Sequence, residues 1–177
     1  MENRVKIGVL SDTHIPSRAR SLPREIFEIF KGVDVILHAG DLAREDVLLD
    51  LMELAPVEAV AGNMDPPHLE RRLGERKLLE FEGVRIGLIH GHGPRATTME
   101  RAYRAFSAEK PHCVVFGHSH MPCNTIYGGV LLFNPGSPTD KRREEYPSCG
   151  ILTISGGKVS GEIILLKKKK RFNPFQR

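Results

Sequence analysis

The hydrophobic pattern of the first third of the chain alternates between strands and amphipathic helices. Short apolar runs rich in β-branched residues predict buried strands at Val5–Leu10, Val33–Ala39 and Val57–Ala61. Apolar residues at helical spacing predict helices between them, at Leu22–Phe30 and Glu45–Ala55. This βαβαβ order favours a parallel sheet with helices on its faces.

The rest of the chain has the pattern of hairpins, together with one helix at Thr98–Phe106 and one buried strand at Cys113–Phe116. The predicted strand pairs are Leu78–Phe81 with Val84–Ile89, Thr125–Tyr127 with Val130–Phe133, and Ile151–Ile154 with Val159–Leu166. We therefore expect antiparallel β-structure in this half. Two facing sheets with helices outside each would accommodate both halves.

The composition is that of one globular domain. The 177 residues are 40% hydrophobic and 27% charged, which excludes general disorder. No apolar run reaches the ~18 residues of a membrane span, and no signal peptide is visible, so we expect a cytoplasmic protein. The three cysteines, Cys113, Cys123 and Cys149, form no CxxC pair, and we expect them in the core rather than in disulfides.

The positive charge is concentrated at the C-terminus. Six of the 26 basic residues lie in residues 167–177, which contain no acid, and this leaves 20 basic against 22 acidic residues elsewhere. We therefore divide the chain into a domain at residues 1–166 and a basic tail at residues 167–177. The tail is either a solvated end or a contact for nucleic acid or anionic lipid.

Polar residues able to bind metal follow five of the predicted strands. The segments are Ser11-Asp12-Thr13-His14, Gly40-Asp41, Gly62-Asn63-Met64-Asp65, His90-Gly91-His92 and Gly117-His118-Ser119-His120. Each motif alone is weak, but ligands of α/β sheets bind at the carboxyl ends of strands, so all five segments could converge on one site.

The candidate ligands form a mixed oxygen and nitrogen set without thiolates. They are the carboxylates of Asp12 and Asp41, the amide of Asn63, and the imidazoles of His14, His90, His118 and His120. This set is suitable for Mn²⁺, Fe or Zn²⁺. It lacks the cysteines of a structural zinc site and contains more histidine than a calcium site. Seven ligands exceed the need of one tetrahedral ion, so we expect two divalent ions. Their excess positive charge would attract an anionic substrate such as a phosphate ester.

The order of these motifs resembles the calcineurin-like metallophosphoesterase superfamily, and within it the small YfcE-type phosphodiesterases. The similarity spans residues 7–154 and includes Asn134-Pro135-Gly136-Ser137. It implies a single α/β domain, a four-layer αββα sandwich of two facing mixed β-sheets flanked by helices. The substrate class implied is a phosphate-ester small molecule or nucleotide, and a homo-oligomer is possible.

The resemblance also implies roles for individual residues. Asp12, His14 and His120 would hold one metal, Asn63, His90 and His118 the other, and Asp41 would bridge them. A bridging hydroxide would attack phosphorus in line, with Asp41, Asn63 and His92 as catalytic residues. The resemblance favours Mn²⁺ as the metal, with Ni²⁺, Fe²⁺, Zn²⁺ or Mg²⁺ as alternatives.

One position departs from the larger members of the superfamily, which carry a proton-donating His after the Gly-Asn. Met64 occupies that position here and cannot donate a proton. This departure favours diesters with good leaving groups over alkyl monoesters. His92 could substitute as an acid, contact the phosphate, or be structural.

Two rival functions stay open at this point. The chain also resembles the retromer subunit of the vacuolar-sorting complex, a protein-interaction scaffold with a decayed metal site, but all seven ligand positions here hold competent side chains. A nuclease would give the basic tail a role, although nucleic acid is not the favoured substrate.

Three further features remain ambiguous from the residues alone. His38 is expected to be a satisfied core histidine, whereas Asp65 could either orient a ligand or cap a turn. Lys141-Arg142-Arg143 could bind the far end of an anionic substrate or form a solvated basic loop.

Overall fold

The computed structural model describes residues 4–167, which form two five-stranded sheets and four helices. The strands are β1 (Val5–Leu10), β2 (Val35–His38), β3 (Val57–Ala59), β4 (Arg76–Phe81), β5 (Val84–Ile89), β6 (Cys113–Val115), β7 (Cys123–Tyr127), β8 (Val130–Asn134), β9 (Ser148–Ser155) and β10 (Lys158–Leu165). The helices are α1 (Arg24–Ile29), α2 (Asp46–Met52), α3 (Pro67–Leu73) and α4 (Thr98–Ala105).

Both sheets are mixed. The first has the order β10-β9-β1-β2-β3, in which β1, β2 and β3 are parallel and β9 and β10 are antiparallel additions. The second has the order β4-β5-β6-β8-β7, with β5, β6 and β8 parallel. The expectation of an antiparallel second half was therefore wrong in part. Helix α4 returns the chain between β5 and β6, and this crossover permits parallel pairing.

Alternating residues on the strands build three apolar layers. Ile7 and Val9 of β1 face the cluster between the two sheets, whereas Leu10 faces the helices α1 and α2. Phe30, after α1, lies against Gly8, and Phe106, after α4, lies against Gly87, so each helix packs closely on a central strand. The structure thus confirms the four-layer α/β sandwich and its single domain.

The predicted strands and helices all occur, with ends shifted by a few residues, but the sequence reasoning missed α3. Its two prolines, Pro66 and Pro67, indicated a connection, whereas proline is also well suited to the first turn of a helix. His68 is exposed on this helix.

The three cysteines are free thiols, as expected. Within residues 4–167, no helix is long and apolar enough to cross a membrane. The predicted basic tail lies outside the described residues except for Lys167.

Candidate metal centre

The loops that follow β1, β2, β5 and β6 meet at one edge of the sandwich. Asp12 and His14 follow β1, and Asp41 follows β2. His90 follows β5 directly, and His120 comes from the loop after β6. All five side chains are buried, so the structure brings together five of the seven predicted ligands.

These five residues form two potential metal-binding groups that share one carboxylate. Asp12, His14 and His120 form the first group, and Asp12, Asp41 and His90 form the second. The ligand atoms within each group lie within 4.8 Å of one another. The first group has the same three members that the resemblance to the superfamily implies for one metal.

The candidate ligand atoms of these residues lie close to one another. Asp12 Oδ1 lies 3.4 Å from His120 Nε2 and 3.9 Å from His90 Nε2. Asp41 Oδ2 lies 3.5 Å from His14 Nε2 and 3.2 Å from His90 Nε2. Each carboxylate therefore reaches both halves of the centre, which is the position required of a bridging ligand.

Two buried polar atoms in this centre have no hydrogen-bond partner among the described residues, namely Asp12 Oδ1 and His90 Nε2. An unpaired buried polar atom costs about 1–3 kcal/mol, more when it is charged. Both atoms carry lone pairs that face the same space, so a cation is the species that would satisfy both. The residues present therefore fit a divalent metal.

Hydrogen bonds on the far side of two rings fix which nitrogen is free. His90 Nδ1 lies 2.7 Å from the carbonyl oxygen of Ala39, and His120 Nδ1 lies 2.6 Å from that of Asp140. A carbonyl only accepts, so each Nδ1 carries the proton and donates it. Each Nε2 then directs a lone pair into the centre, the usual arrangement of metal-binding histidines.

The charges of the centre shift its pKa values in the direction expected for close pairs. Burial by itself would raise the pKa of Asp41, but the neighbouring His90 outweighs it and lowers the value to about 2. Burial opposes a charge on His90, whereas Asp41 and Asp12 raise its pKa. Asp41 is therefore ionised at neutral pH, and a proton competes with a metal for His90.

The backbone is strained at the candidate ligands. Five of them adopt a positive φ between 43° and 65°, which is uncommon for residues other than glycine, namely Asp12, His14, Asp41, His118 and His120. Such conformations persist only where the surroundings enforce them, and they cluster at functional sites. The loops therefore sacrifice local stability to direct these side chains inward.

Two glycines allow the loops to approach the carboxylates. A Cβ at position 62 would overlap Asp41 Oδ1 and lie 2.6 Å from the Asp41 nitrogen. A Cβ at position 117 would overlap Ser11 Oγ and lie 2.7 Å from Asp12 Oδ2. The glycines before Asn63 and His118 are thus required by close packing around the centre.

Asp65 is a positioning residue rather than a simple turn cap. Its carboxylate accepts hydrogen bonds from the backbone nitrogens of Asp41, Ala43 and Gly62, at 2.9, 2.7 and 2.8 Å. It therefore connects the loop after β2 to the loop after β3. Burial raises the pKa of Asp65 despite these donors.

Asn134, the last residue of β8, and the segment after it support the loops that carry His118 and Asp12. Asn134 Nδ2 donates to the carbonyl oxygen of Gly117 at 2.9 Å, and Ser137 Oγ donates to that of Asp12 at 2.8 Å. Thr139 Oγ1 donates to the carbonyl oxygen of Thr13 at 2.7 Å. The sequence reasoning missed Thr139 and Asp140, because contacts to backbone carbonyls leave no signal in the residue types.

The remaining candidates lie at the rim of the centre. His118 is partly buried, and its ring centroid lies 5.2 Å from that of His90. His92 is exposed, with its centroid 5.6 Å from that of His90. Exposed Asn63 lines a cleft of about 250 Å³ together with His92. None of these three belongs to the two buried groups.

His38 is a satisfied core histidine, as expected. It is fully buried, its Nδ1 accepts from the Gly40 nitrogen, and its Nε2 lies 3.1 Å from Thr13 Oγ1. Burial lowers the pKa of this ring to about 3, so it is neutral at physiological pH.

The fold and this centre together define an α/β sandwich with a candidate metal site at one edge. The family model of the calcineurin-like phosphoesterase superfamily domain matches residues 5–157, and the chain belongs to this superfamily. A probable metallophosphoesterase from Methanothermobacter thermautotrophicus is 44% identical over 159 residues, which cover 89% of this chain and 91% of the relative.

Two solved structures show how widely this fold is used. Vacuolar Protein Sorting 29 from Cryptosporidium parvum is 20% identical with a TM-score of 0.72, covering 93% of this chain and 99% of that one. A protein described as a novel archaeal phosphodiesterase is 24% identical with a TM-score of 0.69, covering 90% and 100%. At such identities these likenesses show the shared fold alone.

Proposed function

We propose that the chain is a metal-dependent phosphodiesterase whose centre holds two divalent ions, with Mn²⁺ as the first candidate. The observation that carries this proposal is the pair of buried ligand groups that share Asp12 and contain two unpartnered atoms. Bound divalent ions would supply the positive charge that attracts and polarises a phosphoryl group.

The buried residues provide most of the ligands in this proposal. Asp12, His14 and His120 would hold one ion, and Asp41 and His90, which form a group with Asp12, would hold the other. Asp41 would also reach both ions, because its Oδ2 lies within 3.5 Å of both His14 and His90. Asn63 and His118 would complete the second ion's ligand set from the rim, and the assignment of these two residues rests mainly on the resemblance to the superfamily.

Proton supply to the leaving group restricts the substrate. The side chain of Met64, which is exposed beside the centre, has no proton to donate to a leaving group. Its backbone nitrogen donates a hydrogen bond to Asp41 Oδ1 at 2.8 Å. Esters whose leaving groups depart readily as anions are therefore favoured. We assign the residual proton donation to His92, which lines the cleft beside Asn63.

The decisive experiment is hydrolysis by metal-stripped protein with and without added Mn²⁺. Bis(p-nitrophenyl) phosphate and p-nitrophenyl phosphate serve as the matched diester and monoester. We expect Mn²⁺-dependent cleavage, faster for the diester, and two ions bound per chain by calorimetry. Strong turnover of the monoester would support the assignment as a phosphoesterase but would contradict the proposed preference for diesters.

The role of His92 has its own test. His92→Gln should slow esters of poorly acidic phenols more than p-nitrophenyl esters, because the former need more help from a proton donor. His112→Gln is the control, since His112 is an exposed histidine in another loop. An equal effect on all esters would exclude the acid role.

Two other functions are distinguishable outcomes of the same measurements. Protein that binds two Mn²⁺ yet hydrolyses neither ester would indicate an interaction scaffold on this fold, a function that the likeness to Vacuolar Protein Sorting 29 brings into consideration. A nuclease predicts cleavage of polynucleotides that depends on salt and on residues 167–177. If deletion of that tail changed neither the cleavage of polynucleotides nor its salt dependence, the tail would be excluded from a role in nuclease activity.

A further inference from the structure

A second cleft opens beside the metal centre and shares a ligand with it. Its volume is about 540 Å³, and His120 lies in its wall. The turn Lys141-Arg142-Arg143 also lines the cleft, together with Ser119, Met121 and Glu144. Its charged side chains are thus three bases and one acid, beside the apolar side chain of Met121, and its size suits part of a small organic ligand.

Two guanidinium groups in this cleft are available to a ligand. Lys141 Nζ donates to the carbonyl oxygen of Glu144 at 2.7 Å and so stabilises its own turn. Arg142 and Arg143 are exposed. Arg142 makes a long contact of 3.4 Å with the carbonyl oxygen of His118, whereas Arg143 has no hydrogen bond or ion pair with any described residue.

The residue before the basic turn is fixed to the metal centre. The carbonyl oxygen of Asp140 accepts from His120 Nδ1 at 2.6 Å, and its nitrogen donates to Ser137 Oγ at 2.8 Å. Its carboxylate pairs with Arg18 at 3.2 Å. The turn therefore begins at a point held against a metal ligand, so its arginines lie at a defined side of the site.

We infer that this cleft binds a second anionic group on the substrate, specifically a further phosphate on the arm of the diester that is not expelled. Arginine suits this role because its planar fork pairs with phosphate through two hydrogen bonds. Met121, which is 59% exposed, offers apolar surface to the carbon part of the same arm. The inference rests on the proposed function and narrows its substrate to a nucleotide-like diester with an additional phosphate.

A matched pair of chromogenic diesters tests this inference. Thymidine 5′-(p-nitrophenyl phosphate) and its 3′-phosphorylated form differ only in the second phosphate. With Mn²⁺-loaded protein, we expect the second phosphate to raise kcat/KM roughly tenfold, the scale of one or two charge-assisted pairs at a surface. Arg142→Gln/Arg143→Gln should bring the ratio of the two kcat/KM values close to one.

Control variants separate local binding from general electrostatics and from damage to the site. Arg24→Gln/Lys31→Gln removes the same charge from exposed positions on and after α1 and should retain the ratio. Arg143→Gln alone removes no hydrogen bond or ion pair with the described residues and should lower the ratio in part. A wild-type ratio of one, or an equal loss in the control, would overturn the inference while leaving the phosphodiesterase intact.

Binding measurements keep the inference testable without turnover. Calorimetry should show that thymidine 3′,5′-bisphosphate binds more tightly than thymidine 5′-monophosphate, and that Arg143→Gln reduces the difference. Retention of that result in a protein that hydrolyses neither diester would reject the proposed function but support the anion site. Affinity that rises steadily along oligothymidylates from two to eight residues would reject a small substrate in favour of a polynucleotide.

Discussion

Asp65 Oδ2 accepts the backbone hydrogen of Asp41 across 2.9 Å and thereby holds a strained residue in place. The same carboxylate binds the backbone nitrogens of Ala43 and Gly62. One side chain thus accepts hydrogen bonds from three backbone groups in two loops. Asp65 is too distant from Asp41 in the sequence to act as a local turn cap for it. If Asp41 binds metal as proposed, Asp65 would contribute to that binding by holding Asp41 in position.

Replacement of Asp65 tests this positioning role. We expect Asp65→Asn to weaken Mn²⁺ binding about 10- to 100-fold, the usual effect of losing a partner that orients a ligand. Calorimetric titration of the metal-stripped protein would measure the change, with Asp50→Asn, an exposed aspartate of α2, as the control. If the affinity stayed unchanged while only thermal stability fell, Asp65 would be a structural residue.

Asp41 should be the most sensitive of the ligands. Because its carboxylate lies between His14 and His90, Asp41→Asn removes a negative charge from both halves of the centre. We expect the variant to bind fewer than two Mn²⁺ per chain and to lose at least about 100-fold in kcat, the scale of losing one electrostatic stabiliser. Two bound ions together with normal turnover would refute the bridging assignment.

The missing acid at position 64 can be restored. Met64 is 62% exposed, so a histidine fits there without displacing any buried side chain. We expect Met64→His to raise hydrolysis of p-nitrophenyl phosphate and, more strongly, of alkyl monoesters, by a factor on the order of 10² or less. The control is Met52→His on α2, which is 56% exposed and adds the same residue at another surface. No gain at position 64 would mean that proton donation does not set the substrate preference.

The convergence of the candidate ligands could be predicted because the end of each strand can be recognised from the local sequence. Asp12, Asp41 and His90 each follow a short apolar run, and parallel strands place such residues at one edge. The glycines that precede Asp41, Asn63 and His118 also predicted sharp turns. The structure shows that two of them, Gly62 and Gly117, are needed for close packing. The fold class and the five buried candidate ligands could be predicted from these patterns.

Long-range pairing was less accessible. Nothing in the residue types of β5, β6 and β8 distinguishes a parallel from an antiparallel neighbour, since all are short buried strands. Helix α3 was hidden because its first turn contains proline. The supports of His90 and His120 are backbone carbonyls, which every residue possesses. The position of the basic turn beside His120 depends on these same contacts.

The buried ring of His38 should make the stability of the protein depend on pH. Its folded-state pKa is about 3, whereas an unfolded chain has the ordinary value of about 6.5. Above pH 6.5 the ring is neutral in both states and adds no pH dependence. As pH falls from 6.5 towards 3, the unfolded chain takes up a proton that the folded chain refuses, so the free energy of unfolding decreases.

The decrease attributable to this ring is at most about 1.4 kcal/mol per pH unit. Urea unfolding of metal-stripped protein at pH 7.5, 6.5 and 5.5 would measure it, since removal of metal eliminates the competing titration of metal binding. His38→Gln should have a shallower dependence below pH 6.5 than the wild type, whatever its absolute stability, and His68→Gln, at an exposed position of α3, should retain the wild-type slope. Equal slopes in the wild type and His38→Gln would show that this ring is not held neutral by the fold.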